Sequence, residues 1–292
     1  MSRWKAEAAL LGNTIVWGTS FVIVKGALAG ASPILFVALR FTLATLVLLA
    51  VFRRRLPWSR VRDDFPAGVL VGALLFLGFL LQTLGLQFTT APKSAFLTGM
   101  TSVTVPLLGA LVYRVRPQRS ELLGLLAATA GTSLMTLEGS IESMNRGDVL
   151  TLGCAVAFAG HIVTLGHFSE KMSFEALSVI QVATAAAFAG ALFWWVEPVR
   201  WVWRPGLVAA ILVTGLLGTA LAFTVQAWAQ QYTSSARTAL IFTLEPVFAW
   251  LTSYVFVGEG LSGRAAAGAA LILGGVILVE TKPLNPRLHP SD

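Results

Sequence analysis

The sequence predicts an all-α membrane protein of ten transmembrane helices, arranged as two inverted five-helix repeats around a central cavity. Three observations point there. Charged residues make up only 12% of the chain and hydrophobic ones 56%, whereas soluble domains carry about 25% charged residues. Apolar runs long enough to cross roughly 30 Å of hydrocarbon recur from end to end, leaving no room for a soluble domain. The second half also repeats the first at a nearly constant offset.

Charged clusters and Pro/Gly breaks delimit spans at 6–29, 32–52, 65–88, 91–113, 119–138, 148–168, 173–195, 205–229, 233–256 and 262–280. The first follows a short polar head at Ser2–Glu7 and is longer than a signal-peptide apolar region. It lacks a small-residue cleavage pattern, so it is read as a retained helix. The second runs into Arg53-Arg54-Arg55 with Arg60 and Arg62, and the fifth is preceded by Arg114, Arg116 and Arg119. Such clusters between apolar runs orient a membrane protein and account for the net charge of +7 without a nucleic-acid partner. With the amino terminus inside, fourteen of the 21 Lys and Arg fall on the cytoplasmic side, and both termini are cytoplasmic. The sixth span holds the lone Cys154, a buried thiol with no disulfide partner in the chain. Trp194, Trp195, Trp201 and Trp203 flank the loop after the seventh span and, like Trp58, read as an interfacial aromatic belt.

A shift of 144 residues superposes Phe79-x-x-Gln82 on Phe223-x-x-Gln226, Gln87-Phe88-Thr89 on Gln231-Tyr232-Thr233 and Lys93-Ser94-Ala95 on Arg237-Thr238-Ala239. It also places Gly124 and Gly131 on Gly268 and Gly275. A shift of 141 places Trp17 on Phe158, Ser20 on His161, Ser32 on Ser173 and Arg40 on Gln181. The repeats divide the chain at 1–143 and 144–292. Five helices is an odd number, so the two copies enter the membrane with opposite orientation, an architecture of secondary transporters. The 27 glycines, among them Gly68/Gly72 and Gly274-Gly275, suit close helix contacts.

Several motifs now fall in order: Trp17–Phe21 (WGTSF) in the first span, Pro33-x6-Arg40 in the second and Glu245-Pro246-Val247 in the ninth. Gly258-Glu259 follows, then Gly268-x6-Gly275 in the last span. Over nearly the whole chain this pattern resembles the EamA family of the drug/metabolite transporter superfamily. The resemblance implies a ten-helix exporter or exchanger of small metabolites, including amino acids, seated in a bacterial inner membrane. In the first half Arg114-Val115-Arg116 stands where Gly258-Glu259 stands in the second, so the resemblance assigns that carboxylate no symmetric role.

Three ionisable residues are read as deep in the bilayer, Arg40, His161 and Glu245, and such groups face a bundle interior by default. Glu245 precedes Pro246, whose ring removes a backbone donor and kinks a helix. It serves either as a protonatable gate or coupling site, or structurally, by satisfying a donor freed at the helix break or pairing with a neighbouring cation. Arg40 either pairs with carbonyls or holds a substrate carboxylate in its planar fork. Trp17, Ser20, Phe158 and His161 occupy matching levels near the pseudo-two-fold axis and are expected in the cavity, the alternative being ordinary packing. Phe79 and Gln82 share one helical face, matched by Phe223 and Gln226, and either line the cavity or bond between helices, while Thr98 and Thr101 follow a helical spacing in the fourth span, with Thr101 equivalent to Glu245. Such a lining suits a neutral or aromatic amino acid carried by alternating access. Two rivals remain, a passive channel and an intramembrane enzyme. The enzyme is disfavoured because Asp63, Asp64, Asp148 and Asp292 all sit at span ends or in loops, and no H-E-x-x-H pair exists for a metal. No cofactor is expected, and the partners are the small-molecule substrate and the lipid bilayer. The sequence leaves the oligomeric state open and is compatible with a working monomer.

Overall fold

The computed structural model describes residues 3–56, 58–89, 91–114, 118–136, 144–257 and 262–281. The first half holds α1 (Arg3–Ala27), α2 (Pro33–Phe52), α3 (Trp58–Gly85), the pair α4 (Ala91–Gly99) and α5 (Thr101–Val112), and α6 (Arg119–Thr136). The second holds α7 (Arg146–Ser169), α8 (Phe174–Val196), and α9 (Pro205–Gly215) joined to α10 (Ala222–Ala229) by a π-helical turn at Leu216–Leu221. The pair α11 (Ser235–Phe242) and α12 (Glu245–Val257) follows, then α13 (Gly263–Glu280). By length and hydropathy, seven helical stretches among the described residues can cross a membrane, and Gly263–Val279 is a shorter apolar helix. The Gly258-Glu259 motif lies outside the described residues.

The helix starts follow local chemistry. Ser173, Ser234 and Ser262 cap α8, α11 and α13 by accepting from a backbone N–H of the first turn. Asn145 and Asp148 form a reciprocal capping box at α7. Ser32 makes no such bond at α2, where Glu197 takes its place and accepts from Ile34 N at 2.7 Å and Leu35 N at 3.0 Å. A carboxylate there also meets the positive end of the helix dipole. The strand-like link at Ala31 and Trp201 holds the same two loops together.

Glycine contacts reveal the symmetry. Gly124 packs against the backbone of Gly275, and Gly131 against the backbone of Gly268. As α6 advances from residue 124 to 131, its neighbour on α13 retreats from 275 to 268, so these repeat-equivalent helices run antiparallel. The two contacts are exchanged by swapping the repeats, since Gly124 is equivalent to Gly268 and Gly131 to Gly275. A two-fold axis in the membrane plane has this property. Of the two adjacent glycines in α13, Gly275 makes the contact while Gly274 faces open space, which corrects the expectation that both pack closely. Gly68 and Gly72 of α3 lie against Ile180 and Gln181 of α8 as expected.

Three rods depart from the continuous spans expected. The fourth breaks at Met100, the eighth widens into the π turn, and the ninth breaks at Thr243 and Leu244. Met100 and Leu244 are repeat equivalents, so the fourth and ninth rods break at one symmetric level.

Gly131→Leu places a side chain where Gly268 carbonyl already sits and is expected to lower stability by about 1–3 kcal/mol, the range for overpacking. Gly274→Leu points into open space and should leave the apparent melting temperature in detergent near wild type. Equal melting of the two variants would contradict the assigned interface.

Candidate functional site

One cavity of about 100 Å³ lies between the halves, and all twelve residues expected at a site line it. They are Trp17 and Ser20 from α1, Arg40 from α2, Phe79 and Gln82 from α3, and Thr98 and Thr101 from the broken fourth rod. The second half supplies Phe158 and His161 from α7, Phe223 and Gln226 from α10, and Glu245 at the start of α12. A single water needs only about 10–15 Å³ of such volume, so several waters or a small solute fit.

Aromatic edges build the walls. Trp17 lies 5.4 Å from Phe223 and 4.9 Å from Phe242, while Phe79 meets Phe158 at 5.2 Å and Phe223 at 5.9 Å. Such tilted and edge-on pairs are the favoured ring geometry. The His161 ring stands edge-on to Phe223 at 5.7 Å, completing a connected aromatic wall drawn from both repeats.

The π turn anchors two of the polar residues. A π turn leaves carbonyls without their usual helical donor and recurs at functional sites. Gly218 O accepts from Trp17 Nε1 at 2.9 Å and from Arg40 Nη2 at 3.4 Å. Thr219 Oγ1 accepts from Arg40 Nε at 3.0 Å and Nη2 at 2.9 Å, and itself donates to Thr214 O at 2.8 Å. Arg40 is buried and lies over the Phe79 ring at 4.8 Å, a cation–π contact. Of the two roles open to Arg40 from the sequence, pairing with carbonyls and a hydroxyl is the one present.

His161 is tied to the residue equivalent to Arg40. Its Nε2 lies 2.8 Å from Gln181 Oε1. An amide oxygen only accepts, so with this amide orientation the imidazole donates from Nε2 and keeps Nδ1 as an acceptor. The ring N–H groups of Trp17 and His161 therefore both bond to protein. Gln82 donates to Thr98 Oγ1 at 3.2 Å, whereas its equivalent Gln226 donates to Gln230 Oε1 at 3.1 Å and leaves its own buried Oε1 without a partner. Thr101 Oγ1 donates to Ala155 O at 3.2 Å.

Glu245 differs from all of these. It is half-buried on the cavity wall, and no hydrogen bond or ion pair from a described residue reaches its side chain. The break explains its placement: Thr243 N and Leu244 N turn back to Leu240 O and Ile241 O, and Pro246 has no N–H to lose. Gly18 of α1 packs directly on Glu245 O, so a side chain at position 18 would collide with the backbone of the break.

A matching family model covers residues 4–137 and again 145–281, and describes the EamA-like transporter family. The chain belongs to that family. An uncharacterized transporter of Archaeoglobus fulgidus is 31% identical over 97% of this chain and 88% of its own length. A probable terminal-alkyne amino-acid exporter of Streptantibioticus cattleyicolor is 25% identical over 100% of this chain and 98% of its own. A solved crystal structure superposes with a TM-score of 0.81 at 21% identity, covering 95% of this chain and 97% of that one, which establishes a shared fold. This EamA-like chain is thus a small-molecule transporter of the membrane.

Some of its functional features are not among the residues read from sequence. Gly218, Thr219 and the π turn carry the anchoring bonds, and the signal available was only the Thr214-Gly215 and Gly218-Thr219 spacing inside an apolar run. Gly99, Ser102, Phe242 and Thr243 line the cavity because both helix breaks face it. Burial of ionisable groups extends beyond the three read as deep in the bilayer. Arg237, Glu7, Glu121 and Asp148 are buried as well, at helix starts where they find one another or a hydroxyl. Trp194, Trp195 and Trp203 are exposed, as an interfacial belt requires.

Thr219→Val removes the two shortest acceptor contacts of a buried guanidinium. It should lower stability by roughly 1–3 kcal/mol, while Thr219→Ser stays near wild type, both read by thermal unfolding in detergent. Wild-type stability in Thr219→Val would show that the hydroxyl does not hold Arg40.

Proposed function

We propose that the protein carries neutral or aromatic amino acids by alternating access, as an exporter or exchanger in a bacterial inner membrane with both termini cytoplasmic. The observation that carries this reading is the Glu245 carboxyl group, unmatched by any described protein partner, on the wall of an aromatic cavity at the repeat interface. A carboxylate in such a place calls for a cation, and the substrate's ammonium group supplies one. Trp17, Phe79, Phe158 and Phe223 then offer ring faces and edges to a flat or apolar side chain. The substrate carboxylate meets the hydroxyls of Thr98, Thr101 and Ser20 and the imidazole of His161. Arg40 supports this arrangement from behind, holding the π turn against α2 and adding positive potential.

Three observations support a carrier. The inverted repeats supply the two exchangeable half-structures, the fourth and ninth rods break at the level of the cavity, and a relative bears the name of an amino-acid exporter. The repeats are assigned to 1–143 and 144–292, and the ten rods to ten membrane crossings.

Counterflow of labelled aromatic amino acids in proteoliposomes tests the reading, since saturable exchange marks a carrier and an unsaturable flux a channel. Glu245→Gln should weaken uptake of a zwitterionic substrate about 10–150-fold, the factor for a charged hydrogen bond worth about 1.5–3 kcal/mol. Trp17→Ala and His161→Ala should each cut transport several-fold at equal membrane expression. Wild-type rates in all three would remove this cavity from the transport path. Labelling of Arg55→Cys and His289→Cys from opposite faces would overturn the topology.

A further inference from the structure

Beyond the cavity, a second group of buried charges sits at the start of α1. Glu7 is buried, and its Oε1 accepts from Thr233 Oγ1 at 2.9 Å and lies 3.5 Å from Arg237 Nη1. Arg3 reaches Glu7 from the preceding turn, with Nε 3.2 Å from Oε1. On the far side of Arg237, Nε stands 3.9 Å from Oε1 of Glu121, which also accepts from Ser234 Oγ at 3.2 Å. Arg237 has no exposed surface, so its charge is held between one carboxylate of α1 and one of α6.

Arg237 rides on α11, the eight-residue half-helix that ends at the break before Glu245. A half-helix with a proline-relieved break at one end and a clamped cation at the other is hinged and fastened. Opening the cavity toward the face where α1 begins requires α11 to swing from α1 and α6, and that separation breaks both carboxylate contacts. Removing one partner of such a buried pair leaves an uncompensated charge, so the contacts are costly to break halfway.

The opposite face has the same device in outline. Glu7 is equivalent to Asp148 under the 141-residue shift, and Thr233 to Thr89 under the 144-residue shift. Thr89 Oγ1 donates to Asp148 Oδ1 at 2.8 Å, repeating the Thr233–Glu7 bond. The Glu121 arm has no counterpart, because Ala265 stands at its equivalent position. Thr238 and its equivalent Ser94, on the two half-helices that precede the breaks, both bury a hydroxyl without a partner, as elements drawn for more than one packing would.

We propose that Arg237, clamped by Glu7 and Glu121 with Thr233, is the latch that closes the cavity on the face where α1 begins, and that its release lets α11 swing about the break at Thr243 and Leu244. This rests on the reading of the protein as a carrier.

The test measures access without substrate. In a Cys154→Ser background, Ser102→Cys places a thiol on the cavity wall. Its labelling rate by a membrane-impermeant thiol reagent is measured from each face of sealed vesicles, with a protease-cleavable amino-terminal tag reporting sidedness. Arg237→Gln should raise labelling from the amino-terminal face at least fivefold and leave the opposite face unchanged or slower, while Arg237→Lys stays near the parent. Thr233→Val, which removes one hydrogen bond and no charge, should move the rate the same way by a smaller factor, and it carries the test if Arg237→Gln does not fold. Unchanged labelling in a folded Arg237→Gln or Thr233→Val variant, or an equal rise from both faces, would overturn the latch. Because no substrate is present, a wrong substrate class would leave this readout intact and show itself only as failed amino-acid counterflow.

Discussion

Hydrocarbon offers no hydrogen bond, so each interruption of a membrane helix has to find its donors and acceptors inside the protein. The cavity follows from how this chain meets that constraint three times. At the π turn, Gly218 O is taken by Trp17 and Arg40, and Thr219 bridges Arg40 to Thr214 O. At the ninth-rod break, proline removes one donor and tightened turns satisfy two others. At the fourth-rod break, Met100 N turns back to Leu97 O, and Val103 N and Thr104 N both return to Met100 O. Trp17, Arg40, Gly99, Thr101, Thr243 and Glu245, which serve or flank these interruptions, are among the residues that line the space between the repeats.

The two halves share this plan without sharing its chemistry. Arg40 and Gln181 are equivalent, yet one grips the π turn and the other accepts from His161. Thr101 and Glu245 both begin a half-helix after a break, yet the hydroxyl is spent on Ala155 O while the carboxyl group has no described partner. Symmetry therefore builds the container and asymmetry gives it a polar direction. A symmetric cavity would hold a zwitterion equally well in two opposed poses; an acid on one side alone selects one.

Much of this architecture was legible in the sequence, because long apolar runs and a repeat offset are carried by many residues at once. The equivalence of Gly124 and Gly131 with Gly268 and Gly275 was readable from the repeat offset, and the structure adds that these glycines pack α6 on α13. The cavity lining was readable for a related reason, since a polar or aromatic residue recurring at one level in both halves points to the axis. What escaped was local. The fourth-rod break has no proline at Met100, only Gly99 beside it, and the π turn has no proline at all. The burial of Arg237 was also hidden, because a basic residue near a span end reads as a solvent-facing orientation signal until its two carboxylate neighbours, far away in sequence, are brought beside it.

The central claim is that Glu245 receives the ammonium group of an amphipathic substrate while the rings receive its side chain. Equilibrium binding to the purified protein, compared across phenylalanine, phenethylamine and 3-phenylpropionate, tests it most directly, because the three share a ring and differ in charged ends. The account predicts that phenethylamine, which keeps the ammonium, retains most of the affinity of phenylalanine in the wild type and loses it in Glu245→Gln, while 3-phenylpropionate binds at least tenfold more weakly. Binding of 3-phenylpropionate as tight as that of phenylalanine, unaffected by Glu245→Gln, would contradict it.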